Sequence, residues 1–336
     1  MRNKSLILMT ICAVLSTDLS AQSIYPGQHA GKMKKVTLNE VAHSIFYAPQ
    51  YAAIELGYFE EEGIDLTLVN GAGADKVMTA LISGDAQIGF MGSEASIYVS
   101  QEGADDPAVN FAQLTQRAGN FLVGRTAQPD FKWEDLKGKK VLGGRAGGMP
   151  QMVFEYILKK HGIDPKTDLT IDQSISFGLT AAAFTSGDAD YTVEFEPFAT
   201  TLEMENCGTV VASLGRDSGY VPYTAYCAKK SYMEKNPQLI QKFTNAIQKG
   251  LDYVNSHSAW EIAKTIQPQF KDTPVEKIAA IIDRYKSQDT WKEDTIFEKD
   301  SFELLENILE ESGELKKRVP YEDLVRTDFS INAAKK

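Results

Sequence analysis

The chain has 336 residues, 43% of them hydrophobic and 24% charged, which is the balance of a globular protein with two or three folding units. Its formal net charge of −11 argues against nucleic acid or an anionic membrane surface as a partner. Three cysteines are too few for a disulfide framework. We interpret Cys207 and Cys227 as two small buried hydrophobes, although an oxidising compartment would allow them to pair.

The first 21 residues have the features of a signal peptide. Arg2 and Lys4 form a basic start, residues 5–15 are an apolar run too short to span a bilayer, and Ala21 is a small residue suited to cleavage. We therefore predict a signal peptide over residues 1–21 and a flexible tail over residues 22–34. This reading predicts a periplasmic or extracellular location.

Downstream of the tail, strand-like and helix-like runs alternate, a pattern typical of parallel sheets covered by helices on both faces. Strands are predicted at residues 36–41, 66–69, 109–115, 121–123, 139–142, 169–171, 210–214 and 224–228. Helices are predicted at residues 45–59, 75–82, 94–101, 150–160, 181–185 and 198–205. From residue 236 onward the pattern is helical only, with capping boxes predicted at Ser258…Glu261 and Thr273…Glu276.

One motif occurs twice. Ser83-Gly84-Asp85-Ala86 and Ser186-Gly187-Asp188-Ala189 each end an apolar helical run and precede a short strand. Further upstream, Gly63-Ile64-Asp65 and Gly162-Ile163-Asp164 also stand between a helix and a strand. Gly84 and Gly187 are suited to a left-handed end of the preceding helix. The repetition predicts two similar α/β lobes, each with a polar loop at the same strand end.

We therefore predict an α/β protein of two lobes with mainly parallel sheets and a helical C-terminal segment. Residues 35–123 are expected to form the first part of the first lobe, and residues 124–222 the second lobe. Residues 223–336 are expected to return to the first lobe and to add the C-terminal helices. In open parallel sheets, ligands bind beyond the carboxyl ends of the strands. Two lobes with facing strand ends would surround one cleft with six such loops.

The candidate site residues follow the strand ends or lie between the lobes. Aromatic and amide groups after the first strand suit a planar, hydrogen-bonding ligand, and glycines before residue 150 offer N–H groups at a helix N-terminus. The glycine-rich turn over residues 143–148 matches neither of the nucleotide-binding motifs GxGxxG and GxxxxGK(S/T). The candidate ligand-binding residues are Asn39, His43, Phe46, Tyr47, Ser93, Glu94, Asn120, Gly148, Met149, Glu194 and Glu196.

Each candidate has a structural alternative. Phe46 and Tyr47 could simply pack the start of a helix, and Ser93 with Glu94 could be an ordinary helix cap. Because an unpaired buried charge is costly, Glu194 and Glu196 need partners. Those partners would be a ligand, or one of the arginines at positions 117, 125 and 145. We also considered these carboxylates as a general acid/base pair, but we predict no catalytic residues. No second histidine stands at ligand spacing from His43, so we predict no metal site.

Several stretches resemble one family. These are residues 39–51, Gly57-Tyr58-Phe59, both repeats, residues 135–141 and Glu196-Pro197. They are similar to the substrate-binding proteins of ABC importers in the sulfonate, nitrate, taurine and thiamine-pyrimidine group. The resemblance covers residues 36 to about 260. It implies a type II periplasmic-binding-protein fold, two lobes joined by two crossings, and a small ligand closed between them.

The resemblance also implies partners and a ligand class. An exported binding protein of this kind delivers its ligand to an ABC permease, and we expect a monomer without cofactors. The loop containing His43 looks most like the aminopyrimidine branch related to thiamine-precursor synthases. Asn39, His43, Glu94 and Glu196 occupy comparable positions, although the cysteine-rich motif of the synthases is missing. Two alternatives stay open: a sulfonate or nitrate receptor, and an enzyme that uses His43 with Glu194 or Glu196.

Overall fold

The computed structural model describes residues 33–143, 146–175 and 178–335. The predicted signal peptide and nearly all of the predicted tail lie outside these residues, as does Arg145. The chain forms ten strands: β1 (Lys34–Glu40), β2 (Ile64–Asn70), β3 (Ile88–Met91), β4 (Ala108–Thr115), β5 (Asn120–Gly124), β6 (Lys140–Leu142), β7 (Thr170–Asp172), β8 (Tyr191–Phe195), β9 (Thr209–Ser213) and β10 (Thr224–Lys229).

The strands form two five-stranded sheets, one in each lobe. The first has the order β2-β1-β3-β10-β4 and the second the order β7-β6-β8-β5-β9. In each sheet four strands run in one direction, and only β10 or β5 runs the other way. This confirms the predicted two-lobed α/β fold.

The strand β5 belongs to the second lobe. It pairs with β8 on one side and with β9 on the other. The predicted lobe boundary after residue 123 therefore falls inside a strand, because the chain has already crossed over between β4 and β5. The return crossing runs from β9 to β10, which rejoins the first sheet.

The glycines of the repeated motifs behave alike at three positions and differently at the fourth. Gly84 has φ 88°, the predicted left-handed conformation, and Gly63 and Gly162 have similar φ values of 76° and 66°. Gly187 instead has φ −102° and ψ −163°, which is extended backbone, so the left-handed end predicted there is wrong. Its carbonyl and that of Ala189 both accept hydrogen bonds from the Arg125 guanidinium at 2.9 Å. The second repeat thus leaves its helix by a different path.

Fifteen α-helices cover the described parts of the sheets and form the C-terminal segment. They are α1 (Ala48–Glu55), α2 (Tyr58–Glu61), α3 (Ala74–Ser83), α4 (Glu94–Gln101), α5 (Met149–Lys160), α6 (Thr180–Ser186), α7 (Phe198–Met204), α8 (Leu214–Ser218), α9 (Lys230–Lys235), α10 (Pro237–Ser256), α11 (Ala259–Ile266), α12 (Val275–Ser287), α13 (Lys299–Ser312), α14 (Tyr321–Leu324) and α15 (Asp328–Ala333). Short 3-10 helices occur at Ile45–Tyr47, Trp133–Leu136 and Gln267–Gln269.

Helix ends show where local prediction succeeds and fails. The predicted helix over 45–59 is three pieces, and Gly57, with φ 73°, separates the last two. The capping box of Ser258 and Glu261 is confirmed. The box at Thr273 is wrong, because α12 begins one residue later, after Pro274, which has no side-chain acceptor. None of the helices described is both long enough and apolar enough to cross a membrane.

The C-terminal helices contact both lobes. The long helix α10 packs on α1, α12 packs on α11, and α13 packs on α5 of the second lobe. Cys227 is buried on β10, whereas Cys207 lies half-buried before β9, and both are free thiols.

Candidate functional site

The loop after β1 meets the end of β8 across the gap between the lobes. The Ser44 hydroxyl donates a hydrogen bond of 3.3 Å to the Glu196 carbonyl. The ring of Phe46 lies 6.0 Å from the ring of Phe195, measured between centroids. Two of the six predicted loops, one from each lobe, are therefore in direct contact.

Phe46 lies at the centre of an aromatic cluster that draws on four parts of the chain. Its ring packs edge-on against Tyr223 from the return crossing at 5.7 Å, and at a tilt against Tyr285 from α12 at 5.3 Å. A side chain at Gly119 would collide with it, because a Cβ there would lie 2.5 Å from the Phe46 ring. Glycine at position 119 therefore allows Phe46 to reach the first crossing.

Glu194 lies beside this cluster in a small internal cavity. The cavity measures about 20 Å³, room for little more than one water molecule. Its lining residues are Asn120, Gly143, Pro150, Ile175, Gly178, Thr180, Val193, Glu194, Phe195 and Phe198. The residue Glu194 is 2% exposed, and its carboxyl group accepts hydrogen bonds from the hydroxyls of Thr192 at 2.6 Å and Thr180 at 3.0 Å. Burial raises the pKa of Glu194 to about 7, and these two hydrogen bonds oppose the rise.

The amide of Asn120 faces the same cavity. Asn120 is fully buried at the start of β5. Neither its Nδ2 nor its Oδ1 has a hydrogen-bond partner in the part of the chain that the structure describes. A buried amide normally has partners for both atoms. The cavity wall thus presents one free donor and one free acceptor close to a carboxyl group.

Glu196 is in a different situation from Glu194, although it is equally buried. Its carboxylate accepts a hydrogen bond of 2.7 Å from the Arg284 guanidinium, and bonds of 2.9 and 2.8 Å from the backbone N–H and hydroxyl of Thr200. Arg284 also pairs with Glu203. Glu196 thus has an ion-pair partner, Arg284 of α12, and of the three arginines expected from the sequence neither Arg117 nor Arg125 pairs with it.

Two of those three arginines bind elsewhere. Arg117 donates to the Gly215 carbonyl at 3.0 Å and lies 4.2 Å above the Tyr220 ring. Arg125 binds the carbonyls that follow α6. Arg145 lies outside the described residues.

Ser93 and Glu94 stand at the end of β3, near the return crossing. The Ser93 hydroxyl donates to the Pro222 carbonyl, so the expectation that this side chain caps α4 is wrong. Glu94 is buried, and together with burial its charge raises the pKa values of the Tyr47 and Tyr223 phenols. Glu94 therefore lies near the aromatic cluster.

His43 is held by the lobe that carries it. Its Nδ1 hydrogen-bonds to the buried carboxylate of Glu40 at 2.8 Å, and its Nε2 to the Gln269 carbonyl at 2.9 Å. The ring packs 4.8 Å from both Tyr51 and Phe270. The hydrogen bond to Glu40 raises the pKa of His43. In this arrangement His43 anchors the loop that carries Phe46.

The remaining candidates are Asn39, Gly148 and Met149. Asn39 points toward Gly71, where a Cβ would lie 2.5 Å from its Oδ1. Gly148 stands directly before α5, and Met149 is 2% exposed. The N–H of Gly147 donates to Gln151 Oε1 at 2.7 Å, so one donor of the proposed anion-binding turn is occupied by the chain itself.

Sequence reasoning missed several residues of this region. No sequence motif pointed to Thr180, Tyr285 or Arg284, because each lies on a helix without a recognisable motif. Gly119 could have been suspected as a glycine between two predicted strands. A second, larger groove of about 850 Å³ lies between β9 and α12, and its lining includes Trp133, Arg216 and Arg284 but none of the candidate residues.

Comparison with known proteins identifies relatives of this chain. The model of the family described as NMT1/THI5 like matches residues 45–259. The "Putative binding protein YtlA" of Bacillus subtilis is 47% identical over 298 residues, which is 89% of each chain. The 4-amino-5-hydroxymethyl-2-methylpyrimidine phosphate synthase THI5 of Saccharomyces cerevisiae is 23% identical over 249 residues, which is 68% of this chain and 69% of the synthase.

A solved structure shows the same fold. The periplasmic nitrate-binding protein NrtA from Synechocystis PCC 6803 superposes with a TM-score of 0.73 at 17% identity, covering 90% of this chain and 89% of that one. This likeness confirms the periplasmic-binding-protein fold predicted from the sequence. The family match spans well over half of the chain. The protein therefore belongs to the NMT1/THI5-like family and has the fold of the periplasmic binding proteins.

Proposed function

We propose that this protein is an exported solute-binding protein that closes its two lobes around a small aminopyrimidine and delivers it to an ABC permease. One observation carries the ligand class. The fully buried amide of Asn120, with neither its donor nor its acceptor paired in the described chain, lies beside the Glu194 carboxyl in the small cavity at the strand ends of the second lobe.

The chemistry of that wall fits an aminopyrimidine edge. An amino group next to a ring nitrogen offers a donor beside an acceptor, the pattern that an asparagine amide reads bidentately in adenine. Glu194 would accept a hydrogen bond from a second N–H of the ligand. Phe46 and Phe195 supply flat aromatic surfaces on which a planar ring would pack.

An anionic ligand fits this wall less well. The described residues that line the cavity include a carboxyl group and neither lysine nor arginine. Arg117 and Arg125 are turned toward backbone carbonyls. A sulfonate or nitrate beside Glu194 would therefore meet a negative charge without a described compensating cation.

Binding requires the lobes to move. A cavity of about 20 Å³ does not admit a pyrimidine ring, and the contacts of Ser44 and Phe46 with the second lobe fill the gap. We infer that the two crossings act as a hinge and that ligand contacts to both lobes favour the closed state.

The enzyme alternative requires His43 to act with Glu194 or Glu196. His43 is hydrogen-bonded to Glu40 and Gln269, and Glu196 is ion-paired with Arg284. These partners leave the proposed acid/base pair unassembled in the described structure. The arrangement therefore favours binding without turnover, even though distant relatives are synthases.

Isothermal titration calorimetry tests the ligand class. The probes are 4-amino-5-hydroxymethyl-2-methylpyrimidine, the same ring without the 4-amino group, and taurine. We expect stoichiometric binding of the first, at least tenfold weaker binding of the second, and none of the third. The variant Asn120→Leu should lose binding, whereas Thr200→Val, beside the ion-paired Glu196, should retain it.

Two results would contradict the proposal. Tight binding of taurine without binding of the aminopyrimidine would show an anion receptor. Mass spectrometric detection of a chemically altered pyrimidine after incubation would show an enzyme. Export is tested separately by the intact mass of the mature protein, which should lack residues 1–21.

A further inference from the structure

We propose that the hydroxyl group of Tyr223 is a specificity-determining hydrogen-bond partner of the ligand. This inference rests on the proposed function of the same cleft. It adds that the ligand contacts both crossings at once, through Asn120 on the first and Tyr223 on the second.

Tyr223 is placed for such a contact. It lies immediately before β10, and its backbone N–H donates to the Thr115 carbonyl at the end of β4. Its side chain is 4% exposed and packs on Phe46 and Phe195, the two rings that join the lobes. Asn120 of β5 lies directly opposite the same Phe195 of β8 in the antiparallel strand pair. Both polar groups therefore flank Phe195.

The Tyr223 hydroxyl has no hydrogen-bond partner among the residues that the structure describes. Three other buried tyrosines nearby differ in this respect. Tyr285 donates to the Gly119 carbonyl, Tyr226 to Gln50 Oε1 and Tyr51 to Glu40, at 2.8 to 2.9 Å. A buried, unpaired hydroxyl costs free energy, and phenylalanine would fill the same space without that cost. A hydrogen bond to a ligand atom would explain why this position carries a hydroxyl group that pairs with no described residue.

The environment defines what the hydroxyl would recognise. Burial raises the pKa of the Tyr223 phenol, and nearby Glu94 raises it further, so the group stays protonated and donates. Its partner must be an acceptor, such as a ring nitrogen or a hydroxyl oxygen at the ring edge away from Asn120. A ligand held by both crossings would favour one hinge angle, because its contacts form fully only when the crossings are in the closed arrangement.

The test compares Tyr223→Phe with Tyr226→Phe in the full-length mature protein. Both variants remove one buried hydroxyl from nearby positions, but among the described residues only the Tyr226 hydroxyl has a hydrogen-bond partner. We measure the melting temperature without ligand, and the Kd for 4-amino-5-hydroxymethyl-2-methylpyrimidine by calorimetry. Tyr223→Phe should melt at or above the wild-type temperature and bind about five- to tenfold more weakly, the loss of one hydrogen bond. Tyr226→Phe should melt lower and bind like the wild type.

The outcomes separate this inference from the proposed function. If the wild type and Tyr223→Phe bind the probe equally well, the role of Tyr223 is wrong and the binding function stands. If Tyr223→Phe melts as low as Tyr226→Phe, its hydroxyl is structural and the inference also fails. If the wild type does not bind the probe at all, the proposed function fails, and this inference fails with it.

Discussion

Glu194 and Glu196 stand two residues apart at the same strand end, both 2% exposed, yet the fold treats them differently. Glu196 pairs with Arg284 and is further held by Thr200. The described partners of Glu194 are two threonine hydroxyls, and burial raises its pKa to about 7. The charge of Glu196 is thus balanced by Arg284, whereas Glu194 can gain or lose a proton near neutral pH.

The difference arises from a helix that is distant in sequence. Arg284 lies on α12, 88 residues after Glu196, and reaches only one of the two carboxylates. The pair also attaches α12 to the second lobe. Glu196 therefore joins the second lobe to the C-terminal helices, and we propose that Glu194 is the carboxyl group that contacts a ligand. The following predictions test that division, beginning with the largest effect.

Removal of Arg284 should damage the protein most. Arg284→Met leaves the Glu196 carboxylate buried without its cation, which should lower the free energy of unfolding by about 3–5 kcal/mol in urea denaturation. The double variant Arg284→Met/Glu196→Gln should recover part of this loss. Arg216→Met, at an exposed arginine, should change stability by less than about 1 kcal/mol. A double variant no more stable than the single one would show that Glu196 is not the carboxylate that needs Arg284.

Glu194 should make stability depend on pH. Its folded-state pKa of about 7 lies above the ordinary value of 4.5, so the native state holds a proton that the unfolded chain has lost. Wild-type stability should therefore fall as the pH rises from 4.5 through 7, by at most about 3 kcal/mol. Glu194→Gln should abolish most of this fall and be the more stable protein at pH 8. Urea denaturation of both proteins at several pH values measures this difference in the free energy of unfolding.

A smaller slope of the same sign should remain in Glu194→Gln. The hydrogen bond to Glu40 raises the pKa of His43, so its contribution is present at low pH and is lost as the pH rises through the folded-state pKa. The double variant Glu194→Gln/His43→Gln should remove this remainder. An unchanged slope in Glu194→Gln alone would mean that Glu194 is ionised in the folded protein throughout the range.

The two glutamates should also respond oppositely to the same substitution. Glu196→Gln weakens a buried, charge-assisted pair and should cost about 1–3 kcal/mol at pH 8. Glu194→Gln at the same pH should stabilise, because a buried charge is replaced by a neutral amide. Equal losses in both variants would contradict the division between joint and ligand contact.

The smallest effects should come from the threonines. Thr180→Val and Thr200→Val each remove one hydroxyl donor and should each cost about 1 kcal/mol. Because the Thr180 hydrogen bond lowers the pKa of Glu194, its loss should move the pH-dependent fall in stability to higher pH. Thr200→Val should lower stability at every pH without changing the pH range over which stability falls. A parallel movement in both variants would mean that the fall does not report Glu194.

Much of the architecture was predictable from local pattern. Alternating strands and helices indicated two α/β lobes, and Gly84 has the left-handed conformation predicted for the end of its helix. The strand-end rule also selected Phe46 and Glu194, and in the structure Phe46 contacts Phe195, the neighbour of Glu194. These features depend on neighbours within a few residues, whose hydrophobic period and backbone preference can be read directly.

Other features depended on long-range packing. The partner of Glu196, the cluster of Tyr223 and Tyr285 around Phe46, and the sheet that receives β5 are set by elements far apart in the sequence. By itself the sequence determined the two lobes and the polar groups available at each strand end. Only the tertiary structure decided which of these groups pair with an opposite charge, because burial and distance to a charge are properties of packed surfaces rather than of neighbouring residues.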